Sequence, residues 1–438
     1  MVSVRLVALS MVVGIVVGFA TLGMFVLSTI LSRILVKGVA GIDVPPPPGL
    51  KIDLGIDVPH LENALLLPIV AFVGGATSGL VARYIASEVS GSGMEAALDS
   101  IKHRRGFSRK RVALAKLLTT SIVVGSGGSV GVVGPMAQVG VGISSTFSSI
   151  ARCSDNDRRL LAMAGLAAGV AATLKAPLAG AIMGIEILSG GITLEARALV
   201  YTFASALASY SVVAGFLGGD PIFGYVPLEP AYNAVYVLYF AILGAICGAI
   251  GRLYAVMLRA LKRAFEKSRI PLALRTAMAT TIVGILGISL PQILGPGHGY
   301  AAMVLRGDVA TIVEALALAP SISLLFVAFI KMIATSITIG SGCSGGLVAP
   351  TMFVGSFVGA STYFALSQFL DVPPLPYFVL AGMVSMFAAV GRSPLASIVL
   401  VSEATGSLSA TPLAIASVIV SYLVGGAKAS LYESQRSG

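Results

Sequence analysis

Residues 116–140 read KLLTTSIVVGSGGSVGVVGPMAQVG, and residues 331–355 read KMIATSITIGSGCSGGLVAPTMFVG. At a constant offset of 215, thirteen of the twenty-five positions are identical, among them Lys116/Lys331, Gly125/Gly340, Ser129/Ser344, Val133/Val348 and Pro135/Pro350. A second pair follows at an offset of 217: Pro177-Leu178-Ala179 with Glu186, against Pro394-Leu395-Ala396 with Glu403. Glycines, prolines and charges recur in the same order, so shared apolar composition does not explain the match. The period is too long for a solenoid. It suits duplicated membrane halves, which are often inverted about an axis in the membrane plane. The halves fall near 60–212 and 230–426 within a single domain, 1–438. Sequence alone leaves parallel and inverted repeats both open.

The rest of the chain agrees with a membrane setting. Hydrophobic residues make up 56% and charged residues 11%, where a soluble domain carries roughly 25% charged. Mean hydropathy is +0.95. Apolar stretches run from Val4 to Val36, Leu65 to Val81, Leu160 to Leu188, Ala196 to Leu217 and Ala234 to Leu258, with more up to Leu423. Many reach the roughly 20 residues that span a bilayer as helix. Alternating barrel strands are not seen, so the expected class is an all-α polytopic membrane protein. Val4 to Val36 is too long for a signal-peptide core and reads as the first membrane helix.

The 29 basic residues outnumber the 19 acidic ones. They cluster at 102–116 and at 259–275, which the positive-inside rule reads as cytoplasmic loops, in preference to nucleic-acid binding. Pro45 to Pro48, with Asp43, Asp53 and Asp57 nearby, should then be external. Cys153, Cys247 and Cys343 are far apart and odd in number, against a disulfide framework. They form no metal-ligand spacing with His60, His103 or His298. The three histidines lie in or beside loops, away from the glycine motifs, and no metal, cofactor or enzyme is read.

Each repeat carries a polar loop, Gly125 to Gly134 or Gly340 to Ala349, between apolar segments. Such backbone must be buried or line a watery cavity. Pro135 and Pro350 then suit the first turn of a helix, whose free N–H groups and positive dipole end face the loop. Two such starts meeting at mid-membrane make an anion site without a full positive charge. Ser90-Gly91-Ser92-Gly93-Met94 is a third candidate: Ser92 either caps the following helix or turns its hydroxyl to an ion. Gly340-x-Gly342-x-x-Gly345 matches the dinucleotide fingerprint formally but lacks its strand-turn-helix setting.

At these loops the chain resembles the CLC family of chloride channels and chloride/proton antiporters. Gly91-Ser92-Gly93-Met94 looks like the family's GSGIP segment, and Gly131-Val132-Val133-Gly134-Pro135 sits where the family has GREGP. Lys175-Ala176-Pro177-Leu178-Ala179-Gly180 resembles NAPLAG, and Gly346-Leu347-Val348-Ala349-Pro350 resembles GIFAP. Ser430-Leu431-Tyr432 falls where the family places a pore tyrosine. The resemblance implies inverted repeats with broken helices meeting at mid-membrane, a homodimer in the cell membrane, and one pore per subunit. It implies chloride held by the Ser92 and Tyr432 hydroxyls and the N–H groups of Leu347 and Val348, with Gly131, Gly134 and Gly346 in the pore loops. The paired cytoplasmic regulatory domains of some relatives are not expected.

The departures carry the functional reading. The family's gating glutamate is replaced by Val133, which neither titrates nor competes as an anion. The proton-relay position after Glu186 is Ile187. The expectation is therefore passive, proton-uncoupled chloride transport, with a slow secondary transporter or exchanger using another coupling route as the alternative. A cation or organic-solute transporter is disfavoured by the absence of acids in the glycine loops. Ser92 resembles chloride-preferring members, whereas nitrate-selective relatives carry proline there. Glu95 replaces the family proline, and its spacing from Ser92 reads as a cap. Lys175 either attracts anions or snorkels to the interface. Lys116, Lys331, Glu186, Arg392 and Glu403 are expected to be structural, pairing or capping helices.

Overall fold

The apolar run from Leu160 to Leu188 does not continue as one helix. Lys175 sits in left-handed backbone (φ +53°) and Pro177 opens a new helix. The same break recurs at Arg392 (φ +56°) and Pro394, 217 positions later. Left-handed backbone costs a residue with a Cβ roughly 1–2 kcal/mol, so each break needs compensation. Lys175 Nζ donates to Gly49 O at 2.7 Å, and Arg392 donates to Tyr422 O at 2.9 Å while lying over the Tyr422 ring. Lys175 is thus neither snorkelling nor facing the glycine loops; it ties down a connecting segment.

The computed structural model describes residues 3–52, 55, 61–191, 194–231 and 233–435. Asp53, Asp57 and His60 fall outside them. Helix α1 (Val4–Leu31) precedes the first half, which comprises α2 (Leu67–Tyr84), α3 (Gly93–His103), α4 (Lys110–Gly125), α5 (Val133–Ile150), α6 (Asp155–Leu174), α7 (Pro177–Ser189) and α8 (Ala196–Leu217). The second comprises α9 (Ala234–Lys267), α10 (Leu272–Ser289), α11 (His298–Leu305), α12 (Ala310–Leu316), α13 (Pro320–Gly340), α14 (Val348–Leu366), α15 (Leu375–Gly391), α16 (Pro394–Thr405) and α17 (Thr411–Gly425). Seven helices are long and apolar enough to cross a bilayer, and α7, α15, α16 and α17 are shorter apolar helices. Short helices can end inside the protein only where other groups satisfy their ends.

The halves supply those groups to each other. Glu186 on α7 accepts from Leu395 N–H and Ala396 N–H at the start of α16, both at 2.9 Å. Glu403 on α16 accepts from Leu178 N–H and Ala179 N–H at the start of α7, at 2.8 and 2.7 Å. The loop serines cross over in the same way, Ser129 to Thr335 at 3.0 Å and Ser344 to Thr120 at 2.8 Å. This reciprocity is the mark of a two-fold relation between halves. Anionic side chains at helix N-termini also suit the dipole.

The basic segments 102–116 and 259–275 are not loops. Only 104–109 and 268–271 lie outside helices, and Lys116 is fully buried in α4. Several of the remaining cations sit at helix ends, where the hydrophobic run gives way to polar surface. Both clusters line one cavity, through Arg104 and Arg109 from the first and Arg259 and Lys262 from the second, so they share a face of the molecule.

Candidate binding site at three helix starts

Three glycine loops meet at the starts of α3, α5 and α14. Gly91 N–H donates to Gly342 O (3.1 Å), Gly93 N–H to Gly345 O (3.0 Å), and Gly131 N–H to Gly346 O (2.8 Å). Side chains are excluded here by distance. A Cβ on Gly93 would lie 2.7 Å from Gly134 O, and one on Gly346 would lie 2.8 Å from the Pro135 ring and 3.0 Å from Gly131 O. Glycine is required at these positions because the backbones themselves touch.

Two buried lysines hold the approach. Lys116 Nζ donates to Val89 O and Gly91 O, both at 2.9 Å, fixing the loop ahead of α3. Its repeat partner Lys331 donates to Ile293 O (2.8 Å) and Gly295 O (2.7 Å), fixing the loop ahead of α11. A loop carbonyl drawn toward an ammonium group leaves its peptide N–H turned the other way. The two lysines therefore orient the loops as well as anchor them.

The structure brings Ser92, Gly131, Val133, Gly134, Gly346, Leu347 and Val348 into this junction. Ser92 does not cap α3 with its side chain. Its Oγ is buried with no hydrogen-bond partner, which leaves the hydroxyl free for an ion. Leu347 and Val348 occupy the N-cap and first position of α14, where backbone N–H groups have no intrahelical partner. Val133 is the first residue of α5 and is fully buried, as is Val348.

Tyr432 is buried on the C-terminal segment 427–435, which is strapped across the junction. Ser434 N–H donates to Glu95 Oε1 (2.9 Å), Lys102 Nζ to Ser434 O (2.6 Å), and Lys262 pairs with Glu433 (3.1 Å). Glu95 is thus not a cap of α3, as its spacing from Ser92 suggested. It tethers the strap, and its Oε2 is buried without a partner. Ile187 lies apart on α7; its carbonyl accepts from Gln435 Nε2 of the same strap at 2.7 Å.

Two cavities reach the junction. One of about 730 Å³ is lined by Ser92, Glu95, Leu347 and Leu431 together with the basic clusters. At its rim Arg109 binds Glu88 through a guanidinium–carboxylate pair, which holds the Glu88 carboxyl below its usual range. A second cavity of about 500 Å³ is lined by Val132, Arg33, Lys37, Pro296 and His298. Helix α4 connects them, with Val112 at the first cavity and Val124 at the second. Those twelve residues rise ~18 Å. Leu347, at the start of α14, lines the first cavity and Val132, at the start of α5, lines the second. His298, which the sequence placed away from the glycine motifs, lines the second cavity; its signal was the Gly295-Pro296-Gly297 loop before it.

The voltage-gated chloride channel family model matches residues 74–426. An H+/Cl− exchange transporter, ClcA, of Vibrio parahaemolyticus is 29% identical over 395 residues, covering 86% of this chain and 80% of its own. Among solved structures, a slow cyanobacterial Cl−/H+ antiporter superposes with a TM-score of 0.80 at 19% identity, covering 97% of this chain and 95% of its own. A CLC-type fluoride/proton antiporter superposes at 0.78 with 20% identity, covering 98% and 97%. The all-helical fold is that of the inverted-repeat CLC transporters, and the chain belongs to the voltage-gated chloride channel family, the CLC proteins.

Proposed function

We propose that this protein moves chloride-class anions across the membrane without coupled proton movement. Anion transport is the business of the family; the uncoupled character is read from this chain's own residues. The observation that carries it is Val133, fully buried at the first position of α5 where the family's titrating gate would stand. A valine neither carries a proton nor displaces an anion from the helix start. Ile187 repeats the point at the second proton station, since its side chain carries no proton either and only its backbone carbonyl is engaged, by Gln435 Nε2. Glu186 does not substitute for it, because both carboxylate oxygens are engaged by the start of α16.

Ser92 Oγ, the N–H groups of Leu347 and Val348, and Tyr432 are the proposed chloride ligands, with Gly131, Gly134 and Gly346 allowing the backbones to close on the ion. The protein would work as a multi-pass homodimer, its basic clusters on the cytoplasmic face. The test is simultaneous chloride and proton flux from reconstituted protein. A chloride gradient should drive no uphill proton movement, and stoichiometric proton pumping overturns the proposal.

Glu95 favours a second reading, an exchanger coupled by another route. Its unpartnered carboxylate oxygen lies in the first helical turn beside Ser92, and both residues line the same cavity. The Glu95→Gln variant separates the two. An exchanger coupled through Glu95 loses proton movement while chloride continues; an uncoupled pathway has no proton movement to lose.

A further inference from the structure

The loop ahead of α11 is the second copy of the loop ahead of α3. Ile293 and Gly295 stand 204 positions after Val89 and Gly91, and their carbonyls are clamped by the repeat-equivalent lysines, Lys331 and Lys116. At the same offset Gly297 matches Gly93, Pro296 matches Ser92, and His298 matches Met94. The first copy faces the larger cavity with Ser92. The second faces the other cavity with Pro296, Gly297 and His298.

The second copy has the makings of a site. Gly297 holds left-handed backbone (φ +84°) against the Phe353 ring, and α11 begins at the next residue. Its first-turn N–H groups have no intrahelical partner. His298 is only 7% exposed, lines the cavity, and has an Nε2 with no hydrogen-bond partner. A buried imidazole nitrogen without a partner is a standing cost, which a ligand in the cavity relieves.

Charge fixes the sign of that ligand. Arg33 lines the same cavity, donates to Ile52 O at 3.1 Å, and makes no ion pair among the described residues. Lys37 is paired with the exposed Asp43 at 2.9 Å, and Tyr300 reaches only the Asp43 carbonyl. Lys331 stands behind the loop on its two carbonyls. The excess is positive, from Arg33 and the dipole of α11. Val132, next to the gate position, also lines this cavity.

We propose that this cavity holds a second anion site, a waiting position for a chloride-class ion. Its ligands are His298 Nε2–H and the free N–H groups at the start of α11, with Arg33 as the counter-charge. The site rests on the family's anion transport and on no claim about protons. An ion held there stands one step from Val133, so occupancy of this site sets how readily ions enter from this face.

The test uses full-length protein inserted in one orientation in vesicles, with chloride titrated separately on each side. His298→Phe keeps the ring and its edge contact with Phe223, whose centroid is 5.8 Å away, and removes the nitrogen. The KM for chloride entering from this face should rise about tenfold, the equivalent of ~1.4 kcal/mol. The maximal rate of entry from this face and the KM from the opposite face should hold, while the maximal rate from the opposite face falls by the same factor, because a passive pathway has equal Vmax/KM in both directions. His298→Gln, which keeps an N–H donor, should restore most of the affinity. Wild-type crystals soaked in bromide should show an anomalous peak within hydrogen-bond reach of His298. An unchanged KM in His298→Phe, an equal loss in His298→Gln, or no bromide at this position overturns the site. Proton flux in the wild type decides the uncoupled reading separately.

Discussion

Replacing Glu186 separates a helix cap from a proton station. The side chain is fully buried, and each oxygen accepts one backbone N–H at 2.9 Å from the start of α16. A hydrogen bond to a charged group nets about 1.5–3 kcal/mol, so Glu186→Ala, which removes two, should cost ~3–6 kcal/mol. Glu186→Gln keeps one acceptor and turns an NH2 toward the other donor. It also relieves the desolvation of a buried charge, which brings the expected loss to about 1–3 kcal/mol. Thermal unfolding in detergent, followed beside chloride flux of the protein that remains folded, reads both quantities. Glu403→Gln should behave alike, because Glu403 makes the mirror pair of bonds to the start of α7. A Glu186→Gln protein with wild-type stability and altered proton movement would refute the capping account.

Val133→Glu places a carboxylate at the first position of α5, where free N–H groups would hold its ionised form against the anion. Flux should fall at neutral pH and recover as acid protonates the side chain; pH-independent flux would show that residue 133 is off the pathway. Ser92→Pro should fold, since Ser92 has φ −70° and the flanking glycines carry the loop's N–H bonds to Gly342 and Gly345. Nitrate should then gain on chloride in anion-replacement measurements, and unchanged selectivity counts against Ser92 as a ligand. Lys116→Met releases two loop carbonyls and should cost ~1–3 kcal/mol in unfolding experiments, with weaker chloride binding in calorimetry. Lys331→Met should show the same loss of stability.

The repeat and the helix starts were legible because their signals are local. Glycine, proline and polar residues interrupt an apolar run in the same order twice, and backbone chemistry does the rest. Other features depend on contacts across hundreds of residues. Glu186 and Glu403 are visible as repeat partners, but that each serves the other's helix, 209 and 225 positions away, follows only from how the halves interlock. The strap is another case: nothing near Glu95 announces that Ser434 will arrive to take one of its oxygens. The second copy of the Ser92 loop was hidden because it keeps only Gly91/Gly295 and Gly93/Gly297, too few identities to stand out at an offset of 204 when the main repeat runs at 215.

That hidden pair locates the asymmetry of the pathway. At the starts of α5 and α14 the halves agree, with valine at both 133 and 348, each fully buried. The lysine clamps and the crossed carboxylates agree as well, as parts that hold the fold must. The halves part company at the helix starts one step outward: Ser92 against Pro296, Met94 against His298, Glu95 against Gly299. One end of the pathway therefore carries a hydroxyl and a carboxylate, the other an imidazole. With no titrating group at the central gate position, Glu95 and His298 are the groups that acid can protonate in the first turns of these two helices. Acid on the strap side should act through Glu95, and acid on the opposite side through His298. The two effects should be abolished independently, by Glu95→Gln and His298→Phe.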